Sequence, residues 1–106
     1  MEDILACTKS ITRMLREASS FRDFETNHTL QSALLYQFVI IGEAVHHLSP
    51  ALLAKYPEVD WAGIDAMRNF LVHAYHRVDL NIIWKTATIE VPNLEKTVVT
   101  ALRQQQ

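Results

Sequence analysis

Glycine and proline are what this 106-residue sequence has least of, with two of the first and three of the second. Sandwiches and barrels need many tight turns, and tight turns draw heavily on these two residues. The shortage excludes a hairpin-rich β fold and leaves a few long helices. Cysteine is scarcer still. Cys7 stands alone, with no partner for an internal disulfide or a cysteine-based metal cluster, and reads as a small core residue of the first helix. An excess of positive charge is also missing. Ten Lys and Arg against twelve Asp and Glu give a net charge of −2 and a pI near 6.2. That balance lacks the basic footprint of a protein that coats nucleic acid, so any such contact has to come from a local site. The longest apolar-rich stretch, Ser32–Leu48, is interrupted by Gln37, Gly42, Glu43, His46 and His47 and does not read as a membrane span. The start, MEDILACTKS, is acidic and does not read as a signal peptide. The expectation is one cytoplasmic domain over residues 1–106, without membrane contact.

What the sequence does have is helical periodicity. Ile4, Cys7, Ile11, Met14 and Leu15, with Ala18, recur at the spacing of an amphipathic helix. The segment SSFRDFETNHT interrupts this pattern, and a second helix is predicted from about Thr29 to Leu48. That helix is apolar almost all round, which requires cover on more than one side. A subunit interface is the expected source of part of the cover, with Gly42 allowing another backbone to come close. Ser49 and Pro50 open a short helix that stops before Pro57. Asp60 caps a further helix from near Trp61, and another follows Asp79 with Leu80, Ile83, Trp84 and Ala87 at helical spacing. The β-branched run Thr86–Val91 is expected to weaken its end. Pro92 then opens a last helix carrying Leu94, Val98 and Leu102. Trp61 and Trp84 read as packing residues, and the terminal QQQ is expected to fray. The predicted fold is all-α, an up-and-down bundle of four to five helices.

The helix after Asp60 carries the chemistry, in RNFLVHAY (Arg68–Tyr75) followed by HRVD. At ~100° per residue, Tyr75 returns to within about 20° of Arg68, while His76, Asn69 and His73 fall at roughly +80°, +100° and +140°. Ile64, Met67, Phe70, Leu71 and Ala74 are predicted on the opposite, packed side. One face therefore gathers a guanidinium, an amide, two imidazoles and a phenol. Arginine can clamp a phosphate and stabilise the charge of a pentacovalent transition state. Histidine titrates near neutrality and can act as general acid or base. RNA brings its own nucleophile, the 2′-hydroxyl, so this chemistry requires no metal. A symmetric dimer would place two copies of the helix on either side of a phosphate.

Each residue also has a plainer role open to it. Arg68 can simply neutralise Glu43, the one acid embedded in the second helix. His73 can be a hydrogen-bonded core or interface histidine, and Tyr75 an amphipathic packing residue. His46, His47, His73 and His76 invite a zinc reading, but no cysteine or carboxylate stands at ligand spacing. Adjacent histidines on a helix also diverge by ~100°. No metal and no cofactor are expected.

Arg68-Asn69-x-x-x-His73-x-Tyr75 resembles the R-x4-H-x-Y signature of the HEPN superfamily, and of HepT-like ribonuclease toxins in particular. The resemblance extends through IIGEAVHHLSP (Ile40–Pro50), YPEVDWAGIDAMRNFLVHAYHRVD (Tyr56–Asp79) and IIWKTATIEVPNLEK (Ile82–Lys96), so it covers nearly the whole chain. It implies a dimeric helical bundle with a composite cleft where two motif helices meet. It also implies a metal-independent endoribonuclease acting on RNA, paired with a minimal nucleotidyltransferase (MntA-like) antitoxin that transfers AMP to the motif tyrosine. On this resemblance His73 is the general acid/base, Arg68 the phosphate clamp, and Asn69 the residue that orients His73 or the phosphate. Tyr75 is the modification acceptor and a substrate contact. Outside the signature, Glu43 is read as a partner that holds Arg68 in position and His76 as a neighbour of the site. The alternative is a HEPN-like dimer without nuclease activity that binds nucleotides or docks a nucleotidyltransferase.

Overall fold

The computed structural model describes residues 1–105, and all regular structure in them is helical. Four longer helices make the bundle: α1 (Glu2–Met14), α3 (His28–His46), α5 (Trp61–Ala74) and α7 (Val91–Gln104). Between them lie three short ones, α2 (Phe21–Glu25), α4 (Pro50–Ala54) and α6 (Leu80–Lys85). The starts follow local chemistry. Asn27, Ser49, Asp60 and Asp79 each accept a hydrogen bond from a backbone N–H two or three residues on, at 2.9–3.1 Å. Each thereby satisfies an otherwise orphaned helix N-terminal donor.

The bundle is ordered α7–α1–α3–α5 by packing. Its central helix α3 receives α1, α2 and α5, and this accounts for its all-round apolar surface within a single chain. Leu30, Leu34, Phe38, Ile41 and Val45 are buried, and Ala33, Leu35, Val39, Ile40 and Ala44 are at least half-covered. A subunit interface is therefore not needed to explain them. Gly42 does admit a close approach, but the neighbour is Arg68 of α5 in the same chain.

The segment that interrupts the first periodic pattern is itself structured. Ser20 caps α2, and Gln31 of α3 donates to the Phe24 and Glu25 carbonyls at 3.0 and 2.9 Å. Phe24 is fully buried, stacked on Trp84 of α6 with ring centroids 5.3 Å apart. Cys7 is buried in the core, as the periodicity of α1 predicts.

Thr86–Val91 does not end its helix. α6 continues through one π-helical turn (Thr86–Glu90) directly into α7. Pro92 has no N–H to donate to the preceding turn, and a widened turn is a standard way to absorb that loss. Thr86 and Thr88 turn their hydroxyls back onto the Ile82 and Trp84 carbonyls at 2.7 Å each, so the β-branched residues support the bulge. At the C-terminus, Gln104 accepts from the buried Tyr56 hydroxyl at 2.6 Å. That bond holds the first residue of the tail expected to fray, while Gln106 lies outside the described residues.

α5 and α7 do not pack closely on each other. Between them runs a crevice of about 570 Å³ over Phe38 and Ile41, lined by Ile64 and Met67 on one wall and Val91 and Leu94 on the other.

Candidate active site

The site begins with the start of α5. Asp60 fixes its first turn, and the helix then carries Arg68 to the surface of α3 beside Glu43. The Arg68 stem lies flat on α3 at Gly42, and its side chain remains 28% exposed. One terminal nitrogen donates to Glu43 Oε1, and the other to Asn69 Oδ1 at 2.9 Å. The Nε is buried with no partner among the described residues. The other oxygen of Glu43 faces His47 Nε2 at 3.9 Å. Glu43 thus sits between an arginine on α5 and the histidine that caps the C-terminus of α3.

Asn69 has a different neighbour from the one expected. Its carbonyl oxygen accepts from the Arg68 guanidinium, and no hydrogen bond joins it to His73 among the described residues. His73 is exposed near the end of α5 and makes no side-chain hydrogen bond among the described residues. The helix does not continue to Tyr75. Ala74 leaves helical geometry at φ −146°, ψ 35°, and Tyr75–Arg77 form a separate 3-10 turn. The angular positions expected for Tyr75 and His76 on a continuous helix therefore do not hold. Tyr75 is 65% exposed and meets His76 edge-on, with centroids 5.9 Å apart.

The packed side of α5 is also narrower than periodicity suggests. Leu71 is buried, and Ile64, Met67 and Ala74 are half-covered. Phe70, expected on that side, is 46% exposed, as is Val72. The cause is that α5 packs on α3 but only loosely elsewhere, so one helix flank suffices to fill the contact. Exposed apolar side chains consequently flank Arg68 and His73.

His46 pairs with Asp65 at 3.4 Å on the outside of the α3–α5 contact. Among the described residues, no group of three or more His, Cys, Asp or Glu side chains is placed to hold a metal ion. No described helix is long and apolar enough to cross a membrane. The large α5–α7 crevice contains none of Arg68, Asn69, His73 or Tyr75. The motif lies on exposed surface outside it. What this surface offers chemically is an arginine whose direction is fixed by two neighbours and an exposed imidazole on the same helix.

Comparison with known proteins agrees with the motif. The family model described as Ribonuclease HepT-like matches residues 4–101. A protein of Caldanaerobacter subterraneus subsp. tengcongensis, provisionally named an RNase, is 40% identical over 81% of this chain and 77% of its own length. One from Thermococcus cleftensis, provisionally named ribonuclease HepT, is 34% identical over 90% of this chain and 86% of its own. One from Methanocaldococcus jannaschii, also provisionally named an RNase, is 33% identical over 88% and 70% respectively. No solved structure matches the chain.

Proposed function

This chain belongs to the HepT-like ribonuclease family, and from that premise we propose that it is a metal-independent endoribonuclease acting as a toxin in the cytoplasm. The observation that carries the reading is Arg68, a half-covered arginine held in direction by Glu43 and Asn69, with His73 exposed on the same helix. Arg68 holds the scissile phosphate and stabilises the charge of the pentacovalent transition state. The RNA 2′-hydroxyl attacks phosphorus, a 2′-O–P bond forms and the P–O5′ bond breaks. One imidazole removes the 2′-hydroxyl proton, and a second delivers a proton to the departing 5′-oxygen.

A single His73 cannot stand on both sides of the phosphate, so the active unit is a homodimer with a composite cleft. The exposed Phe70 and Val72 beside the motif support that assembly, since such apolar margins are suited to a partner surface. Tyr75 is the acceptor of AMP from a minimal nucleotidyltransferase antitoxin, and its exposed phenol is accessible for that transfer. The added phosphate and nucleotide would block RNA by occupancy and like charge.

One observation favours a second reading, a HEPN-like dimer that binds nucleotides or docks a nucleotidyltransferase without cutting RNA. Arg68 is already neutralised by Glu43, in a chain of net negative charge. The two readings separate in one assay, RNA cleavage by unmodified protein in excess EDTA beside a folded His73→Ala variant. The nuclease reading expects cleavage that survives EDTA and vanishes in the variant. Absent or equal cleavage leaves the binding dimer.

A further inference from the structure

A Cβ placed on Gly42 would lie 2.2 Å from the Arg68 Cβ and 2.6 Å from its Cγ, with the Arg68 Cα at 3.5 Å. These are stem atoms, and Cβ is fixed by the α5 backbone, so no change of rotamer removes the conflict. We propose that Gly42 is a positioning residue for the active site. By carrying no side chain it lets α5 close onto α3 at Arg68, and that approach sets where the guanidinium lies relative to Glu43, the next residue of α3. The inference rests on the reading of Arg68 as phosphate clamp and adds what holds it in place.

The scale of the effect follows from the contact. A methyl group at position 42 would require the Arg68 stem to retreat by about 1.2 Å to reach the 3.4 Å of ordinary contact. α5 is free to retreat, because it has α3 as its one extensive packing partner. A displacement of ~1 Å at a positioning group can cost about 100-fold in rate. The Arg68 Nε, now buried, would open to water in the same movement.

Gly63 supplies an internal control. A Cβ there would lie 2.3 Å from Asp60 Oδ2, a contact of similar severity on the same helix. The carboxylate it meets is mobile and can swing aside, which loses a cap but leaves Arg68 in place.

The test uses the full chain as Gly42→Ala, Gly63→Ala, Arg68→Gly and the Gly42→Ala/Arg68→Gly double variant. RNA cleavage, thermal unfolding and the Arg68 Nε–H resonance in nitrogen-15 NMR are measured. Gly42→Ala is expected to lose about 100-fold in cleavage and to shift the Nε–H signal and speed its exchange with water. Gly63→Ala should lower the melting temperature while keeping that signal and most of the cleavage. In the Arg68→Gly background, adding Gly42→Ala should no longer lower the melting temperature, because the atoms it meets are gone. That comparison still decides the matter if Gly42→Ala alone fails to fold. An unchanged Nε–H signal in folded Gly42→Ala, or equal destabilisation with and without the Arg68 side chain, overturns the proposal. A wild-type chain that cuts no RNA overturns the nuclease reading instead, while the signal and the double variant still judge Gly42.

Discussion

Truncating Phe24 to alanine tests the packing that sets α2 and α6 against the central helix. Phe24 is fully buried, stacked on Trp84 at 5.3 Å and tilted against Phe21 at 6.2 Å. Removing a buried phenylalanine costs about 3–5 kcal/mol through lost transfer energy and the cavity left behind. The ring pair with Trp84 should show about 0.5–1.5 kcal/mol of coupling beyond area burial. A loss of about 4 kcal/mol is a large part of the ~5–15 kcal/mol that holds a domain together. Urea unfolding followed by circular dichroism should show the midpoint falling with little change in slope. A Phe24→Ala/Trp84→Ala cycle would read the coupling directly. A loss below about 1 kcal/mol would refute the reasoning, because it would place Phe24 outside any packed core.

Three further outcomes follow from single sites. The Ser19 hydroxyl and backbone N–H donate to Asp23 Oδ2 at 2.7 and 3.1 Å, holding its carboxyl below the usual carboxylate value. A depressed carboxyl contributes stability above its unfolded value and loses it as pH falls through the folded one, so Ser19→Ala should flatten the acid limb of an unfolding titration. Burial, with Asp3 nearby, pushes the Cys7 thiol up. Its share of stability is therefore intact below the ordinary thiol value and lost as pH rises, and native protein should react with a thiol reagent far more slowly than unfolded chain. Phe70→Asp should leave the circular dichroism spectrum intact but convert the proposed dimer to monomer in sedimentation, while an unchanged dimer would remove the α5 surface from the interface.

The sequence made the helix starts legible because a cap acts over three residues. The start of α3 at His28, capped by Asn27, is the one that periodicity alone places one residue late. Ser49, Asp60 and Asp79 are readable from side-chain chemistry with no knowledge of the tertiary fold. The Arg68–Glu43 pair was readable for a different reason, since an acid within an apolar helix needs a cation and few are available. What escaped depends on distant partners. Phe70 looks like core by spacing, and its exposure arises because α5 has little beside it other than α3. Thr86–Val91 looks like a helix end by propensity, yet threonine hydroxyls and a π turn carry the chain through. Gly42 signalled a close approach correctly, but spacing could not say that the neighbour was Arg68. The break at Ala74 had no signal at all, because neither glycine nor proline marks it.

The crevice between α5 and α7 means that the motif helix is joined to the rest mainly along one seam. Proteins open in cooperative pieces, and the piece with the fewest buried contacts opens first. Of the four long helices α5 has the fewest buried side chains, Leu71 alone, and it carries Arg68 and His73. It is therefore expected to exchange faster than α1, α3 and α7. Amide exchange along the chain would accordingly fall into two tiers, with Trp61–Ala74 in the faster one. Activity would then disappear on warming before the bundle melts. The proposed nuclease activity could be silenced by local opening of one helix, with the rest of the chain still folded and able to recover.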